Sequence, residues 1–88
     1  MTKFFLKIVS TPTENNMVRL TPRIEYYGKR ESYLSSYFPP SNDDLDLYGF
    51  GSFKAAETEK KRKEKIFKIN EDRFHTWMHS IEIQQREI

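Results

Sequence analysis

His75 and His79 stand four residues apart in a stretch with helical periodicity, a spacing that brings two imidazoles to one metal ion. The metalloprotease form of that pattern needs a glutamate directly after the first histidine, where this chain has Thr76. A third ligand would have to come from Glu71, Glu82 or elsewhere. Histidines flanking an apolar stripe fit half-buried packing or pH-sensitive groups better than a metal centre. Serine, histidine and aspartate all occur, but without the Gly-x-Ser-x-Gly turn that exposes a nucleophile. Gly49-Phe50-Gly51-Ser52 is shorter than a phosphate-binding loop and lacks its Lys-Ser/Thr ending. Asp43, Asp44 and Asp46 miss the spacing of a calcium loop. The absence of cysteine removes thiolate nucleophiles, disulfides and the common structural zinc sites. The chain therefore reads as non-enzymatic, with no cofactor and no metal.

Charge and aromatic rings carry the stronger signal. The net charge of +2 is distributed in blocks. Residues 1–30 hold six bases against two acids, and residues 54–68 hold seven bases against three. Between them, residues 31–53 hold four acids and no base. Local field matters more than the sum, because charges separated by more than about 8 Å are largely screened at physiological salt. In the first basic block Arg19, Arg23, Tyr27, Lys29 and Arg30 fall on or just after the polar side of an alternating segment, with Tyr33 and Tyr37 beyond. In the second, Lys60, Lys61, Arg62, Lys63 and Lys65 occupy a hydrophilic helix. Cations hold phosphates, and flat rings stack on unpaired bases for about 1–3 kcal/mol each. These ten residues form the expected nucleic-acid site, with RNA or another single strand as the ligand, provided both groups converge on one flank.

The elements that must position them read as one α+β domain. Residues 3–10 are β-branched and aromatic, a strand buried on both faces. Residues 17–27 alternate with a period of two, so residues 3–27 form an antiparallel β-hairpin. Pro22 marks its second strand as an edge or bulged strand. Residues 28–51 are irregular, acidic and aromatic, with a turn or helix-cap cluster at Ser41-Asn42-Asp43-Asp44. Ser52 caps a basic helix over 52–66, whose middle has almost no apolar stripe and so touches the core only at its ends or faces something else. Glu57–Lys61, Glu59–Lys63 and Glu64–Lys68 place each acid four residues before its base. Asn70 caps an amphipathic helix over 71–86, with Phe74, Trp77, Met78 and Ile81 at helical spacing. The expected fold is a small antiparallel sheet starting with the N-terminal hairpin and packed by two C-terminal helices.

Tyr48-Gly49-Phe50-Gly51-Ser52-Phe53 resembles, over six residues, the first ribonucleoprotein motif of RNA-recognition domains, matching it at Gly49, Phe50 and Gly51. Tyr48 and Ser52 depart from it, and a helical run follows where that fold continues a strand. The glycines are thus read as a turn or helix start. In size and composition the chain resembles the short, cysteine-free, Lys/Ile/Phe/Tyr/Asn-rich accessory proteins of tailed bacteriophages. That resemblance implies stoichiometric inhibition of a host nuclease, toxin, polymerase or defence complex, sometimes with nucleic acid in the complex. It carries no residue roles. A host protein partner is therefore expected beside RNA, and the alternative is a pure protein–protein adaptor that uses exposed aromatics and the acidic loop. A homodimer is also expected as an option, because so small a core leaves aromatic surface uncovered. No signal peptide or membrane-crossing run is present, which places the protein in the cytoplasm, that of the host if phage-encoded, and away from membranes.

Overall fold

The structure is a computed structural model that describes residues 1–14 and 21–88. Among these the chain forms strand β1 (Thr2–Pro12), strand β2 (Arg23–Tyr27), a 3-10 turn at Lys29–Glu31 and strand β3 (Tyr33–Ser36). Helix α1 (Asn42–Tyr48), helix α2 (Phe53–Phe74) and strand β4 (Trp77–Glu87) follow. The sheet is antiparallel throughout, in the order β3-β2-β1-β4. The fold is α+β, and β1 and β2 form the expected N-terminal hairpin.

β1 has a neighbour on each side and a helix over each face. Leu6 pairs with Tyr27 of β2 and Ile83 of β4, and Ile8 pairs with Glu25 and Ile81. Because side chains alternate across a strand, even-numbered residues of β1 share one face with Arg23, Glu25, Tyr27 and the odd-numbered residues of β4. α2 covers that face: Leu6 packs with Phe50 and Ala56, joined by Phe4, Tyr27, Ile81 and Ile83. On the opposite face Phe5 and Tyr26 pack with Leu45 of α1, joined by Ile24, Leu34 and Ile88. Leu6 and Leu45 are fully buried, one in each layer.

Local signals set the helix starts. The Ser41 hydroxyl accepts from the Asp44 N–H, and the Ser52 hydroxyl accepts from the Ala55 N–H, both at 3.2 Å. Between the helices Phe50 exchanges backbone hydrogen bonds with Phe4, carrying the chain round the sheet edge from one face to the other. Gly49 and Gly51 thus belong to the passage into α2. Gly28 is needed for contact: a Cβ there would lie 2.2 Å from the Tyr48 carbonyl oxygen.

Three expectations change. The basic helix does not stop at 66; it runs to Phe74 and ends where His75 adopts the left-handed conformation (φ 55°). The amphipathic helix over 71–86 is instead the end of α2 followed by β4. Trp77, His79, Ile81 and Ile83 also satisfy a period of two, and eleven residues of pairing with β1 decide between the two patterns. β2 is not an edge strand, since β3 pairs with its far side, and Pro22 precedes it. Residues 28–51, too long for a bare loop and so expected to hold some local structure, contain the 3-10 turn, β3 and α1. No helix among the described residues is long and apolar enough to cross a membrane.

Two substitutions test this architecture by urea denaturation. Leu6→Ala is expected to lower stability by about 2–5 kcal/mol through cavity formation. Gly28→Ala is expected to lower the midpoint as well, because a backbone carbonyl rather than a movable side chain meets the added methyl.

Candidate nucleic-acid interface

The middle of α2 lies over the sheet with charged residues where a helix of this length usually carries leucines. Ala56 and Phe67 make apolar contacts near the two ends, while Glu59 and Lys63 lie between them on the inward side. Lys63 Nζ stands 4.6 Å from the centre of the Tyr27 ring and 4.0 Å from a Glu59 oxygen. Tyr27 in turn donates its hydroxyl to Glu25 Oε2 at 3.2 Å. Burial, reinforced by the Glu25 carboxylate, pushes the Tyr27 hydroxyl up to about 12. Burial also lowers the Lys63 pKa, against the opposing pull of Glu59. The tyrosine is therefore half-buried, with Lys63 over one face of its ring.

Beside this pair the two basic segments meet. Arg62 bonds Glu31 of the 3-10 turn and, at 2.6 Å, Glu59 of its own helix. Arg30 and Glu31 both adopt left-handed backbone, with φ of 57° and 59°. That conformation costs a residue with a Cβ roughly 1–2 kcal/mol. Gly28 N–H to Ser32 C=O (2.8 Å) closes the turn, and the Glu31–Arg62 bond ties it to α2. Tyr33, edge-on to Tyr27 with 5.9 Å between ring centres, stays 55% exposed beside the same turn.

The expected site residues thus divide into separate environments. Lys29, Arg30, Lys61 and Lys65 are exposed on the shared flank, Lys61 within 3.8 Å of Glu57. Arg62 is there too, but already engaged by two carboxylates. Lys60, Tyr27 and Lys63 are half-buried, the last two facing each other between α2 and the sheet. Arg23 lies farther along the same face, its guanidinium carbon 5.2 Å from the Trp77 ring centre. With Glu25, Phe67 and His79 these two residues line a hollow of about 210 Å³ between α2 and the sheet. Arg19 lies outside the described residues. The acidic side chains of α1 sit on the opposite face of the sheet, so Asp43, Asp44 and Asp46 do not screen the basic flank.

Sequence reasoning missed Lys54 and Lys68. Both are exposed, and with Lys61 and Lys65 they fall at i, i+7, i+11 and i+14, one stripe along the outer side of α2. The stripe runs for about 21 Å at 1.5 Å per residue. Its signal was the lysine spacing itself, with Lys54 inside the expected helix and Lys68 already in the Glu64–Lys68 pair.

His75 and His79 do not share a helix face. His75 ends α2, whereas His79 lies in β4, stacked on Phe67 at 4.2 Å with Nδ1 3.1 Å from Glu71 Oε1. Among the described residues no group of three or more potential ligands could hold a metal ion.

The raised Tyr27 value makes a pH prediction. The native state retains the phenolic proton beyond the ordinary value of 10.0, so this contribution is complete below about pH 10 and declines towards about pH 12. In a tyrosinate absorbance titration, Tyr27→Phe should remove the last ionising step and reduce the loss of stability across that interval. No family model matches this chain, and neither a curated protein nor a solved structure shows significant similarity to it.

Proposed function

We propose that this protein is a non-catalytic binding protein that engages RNA through the outer face of α2 and the adjoining 3-10 turn. The observation that carries the reading is the stripe of Lys54, Lys61, Lys65 and Lys68, continued across the Arg62–Glu31 bond to Lys29 and Arg30. Lysines in such a row match the repeated charge of a phosphate backbone, and each contact releases counterions. Tyr33 is the ring available for stacking on an unpaired base, in the role first expected of Tyr27. The left-handed turn supports the same reading, since backbone strain is retained where a side chain must be presented in a particular direction.

The likeness in size and composition to phage accessory proteins supports stoichiometric inhibition, with an RNA-handling host nuclease or toxin as the protein partner. A second reading rests on the other side of the molecule. Phe38 is 79% exposed and Leu47 61%, next to the acidic residues of α1, a combination suited to a basic protein surface.

The test is fluorescence anisotropy with a labelled single-stranded RNA across a salt series. Replacing Lys54, Lys61, Lys65 and Lys68 by glutamine should weaken binding at least tenfold and flatten the logarithmic salt slope by roughly 3. An unchanged affinity and slope would sink the RNA reading. Retained host-protein capture by that variant, abolished by Phe38→Ser with Leu47→Asp, would establish the adaptor. Arg30→Gly should weaken RNA binding while leaving thermal stability equal or higher, because glycine accepts the left-handed backbone without strain.

A further inference from the structure

β4 is the outermost strand of the sheet and is regular along all eleven residues. It contains no proline, glycine or lysine, the usual guards of an exposed edge. The opposite edge is protected: β3 has four residues, and its pairing with β2 shifts register between Tyr26 and Tyr27. Backbone directions along β4 follow from two bonds. Ile88 donates its N–H to the Met1 carbonyl, towards β1, whereas His79 donates its N–H away from β1, to Glu71 Oε1 at 2.6 Å. By antiparallel alternation, the N–H and C=O groups of Ile81, Ile83, Gln85 and Glu87 also point outwards. The end of α2 overhangs the edge at His79, so the accessible stretch is 81–87.

We infer that this edge is a self-association surface, where β4 of a second copy pairs antiparallel about a two-fold axis through Gln84. The centre is set by the accessible stretch, whose midpoint is Gln84. Pairing there places Ile83 opposite Gln85 and Ile81 opposite Glu87, each pair exchanging two backbone hydrogen bonds. Glu82 then faces Arg86 of the other copy, twice, at the closer non-hydrogen-bonded positions; Arg86 Nη1 is held by the Pro40 carbonyl and Asn42 Oδ1, so the carboxylate meets the remaining guanidinium nitrogens. The two Gln84 amides face each other on the axis. Two registers nearer the start of β4 are worse: a centre at Glu82 sets that carboxylate against itself, and a centre at Ile83 brings Glu87 against His79, whose N–H Glu71 already holds. The axis is perpendicular to the sheet, so both copies of α2 lie on the same side of an eight-stranded sheet. This inference is independent of the RNA reading.

Sedimentation velocity over a concentration series of the full chain tests it. The expected result is a concentration-dependent rise from the monomer mass of 10.6 kDa to twice that value. Gln85→Pro removes an outward N–H and leaves the β1 ladder untouched, so it should hold the monomer mass with an unchanged far-ultraviolet spectrum. Glu82→Arg sets like charges opposite each other and should weaken association roughly tenfold or more, whether or not the proline variant folds. Monomer mass at every concentration overturns the inference. So does a dimer of unchanged strength in Glu82→Arg.

Discussion

The sheet is organised by a single demand: β1 is apolar on both faces and carries N–H and C=O groups along both edges, and each side must be covered. Phe5 points to one face and Leu6 to the other, so neither a lone hairpin nor a single helix can bury them. β2 and β4 take the two edges, α1 and α2 take the two faces, and Phe50 crosses from one layer to the other beside Phe4. A chain of this length has little apolar material to spend on such an arrangement. It concentrates that material around β1 and leaves the middle of α2 hydrophilic.

That allocation explains the character of the basic flank. α2 is held at its ends by Ala56 and Phe67, and its centre rests on Lys63 and Glu59 over Tyr27 and Glu25. A cation above a ring and a phenol bonded to a carboxylate keep this polar layer mutually satisfied. Some of the lysines and arginines are therefore structural, and others are free for a ligand. The distinction is one of helix face: the inward set supports the helix, whereas the outward set is available.

Much of the architecture is legible in the residues themselves. The two-sided burial of β1 follows from its near-continuous apolar run, broken only by Lys7 between Phe4 and Val9, and the capping serines follow from their hydroxyls before helix-forming stretches. The polar centre of α2 is legible as well, down to the Glu57–Lys61 and Glu59–Lys63 pairs. Residues 77–87 are not, because Trp77, Met78 and Ile81 fit a helical stripe while Trp77, His79, Ile81 and Ile83 fit a strand. Only the unmet edge of β1 resolves that ambiguity, and it is a long-range constraint. For the site, the charge blocks mark the two basic segments without saying that they meet; the Glu31–Arg62 bond brings them together. The covering of Tyr27 is not legible either, since alternation marks one side of β2 as polar without saying that a helix lies on it.

The pairing of β1 with β4 joins Thr2 to Glu87 and Pro12 to Trp77, so the central strand finds its second neighbour at the largest sequence separation in the domain. Contacts of that kind incur loop-closure entropy before they return any energy, which makes this sheet a slow-forming one for its size. During synthesis β2, α1 and α2 all precede β4, so one edge of β1 stays unpaired until residues 77–87 follow. The nascent chain without β4 is thus the species most exposed to misassembly or capture by a chaperone.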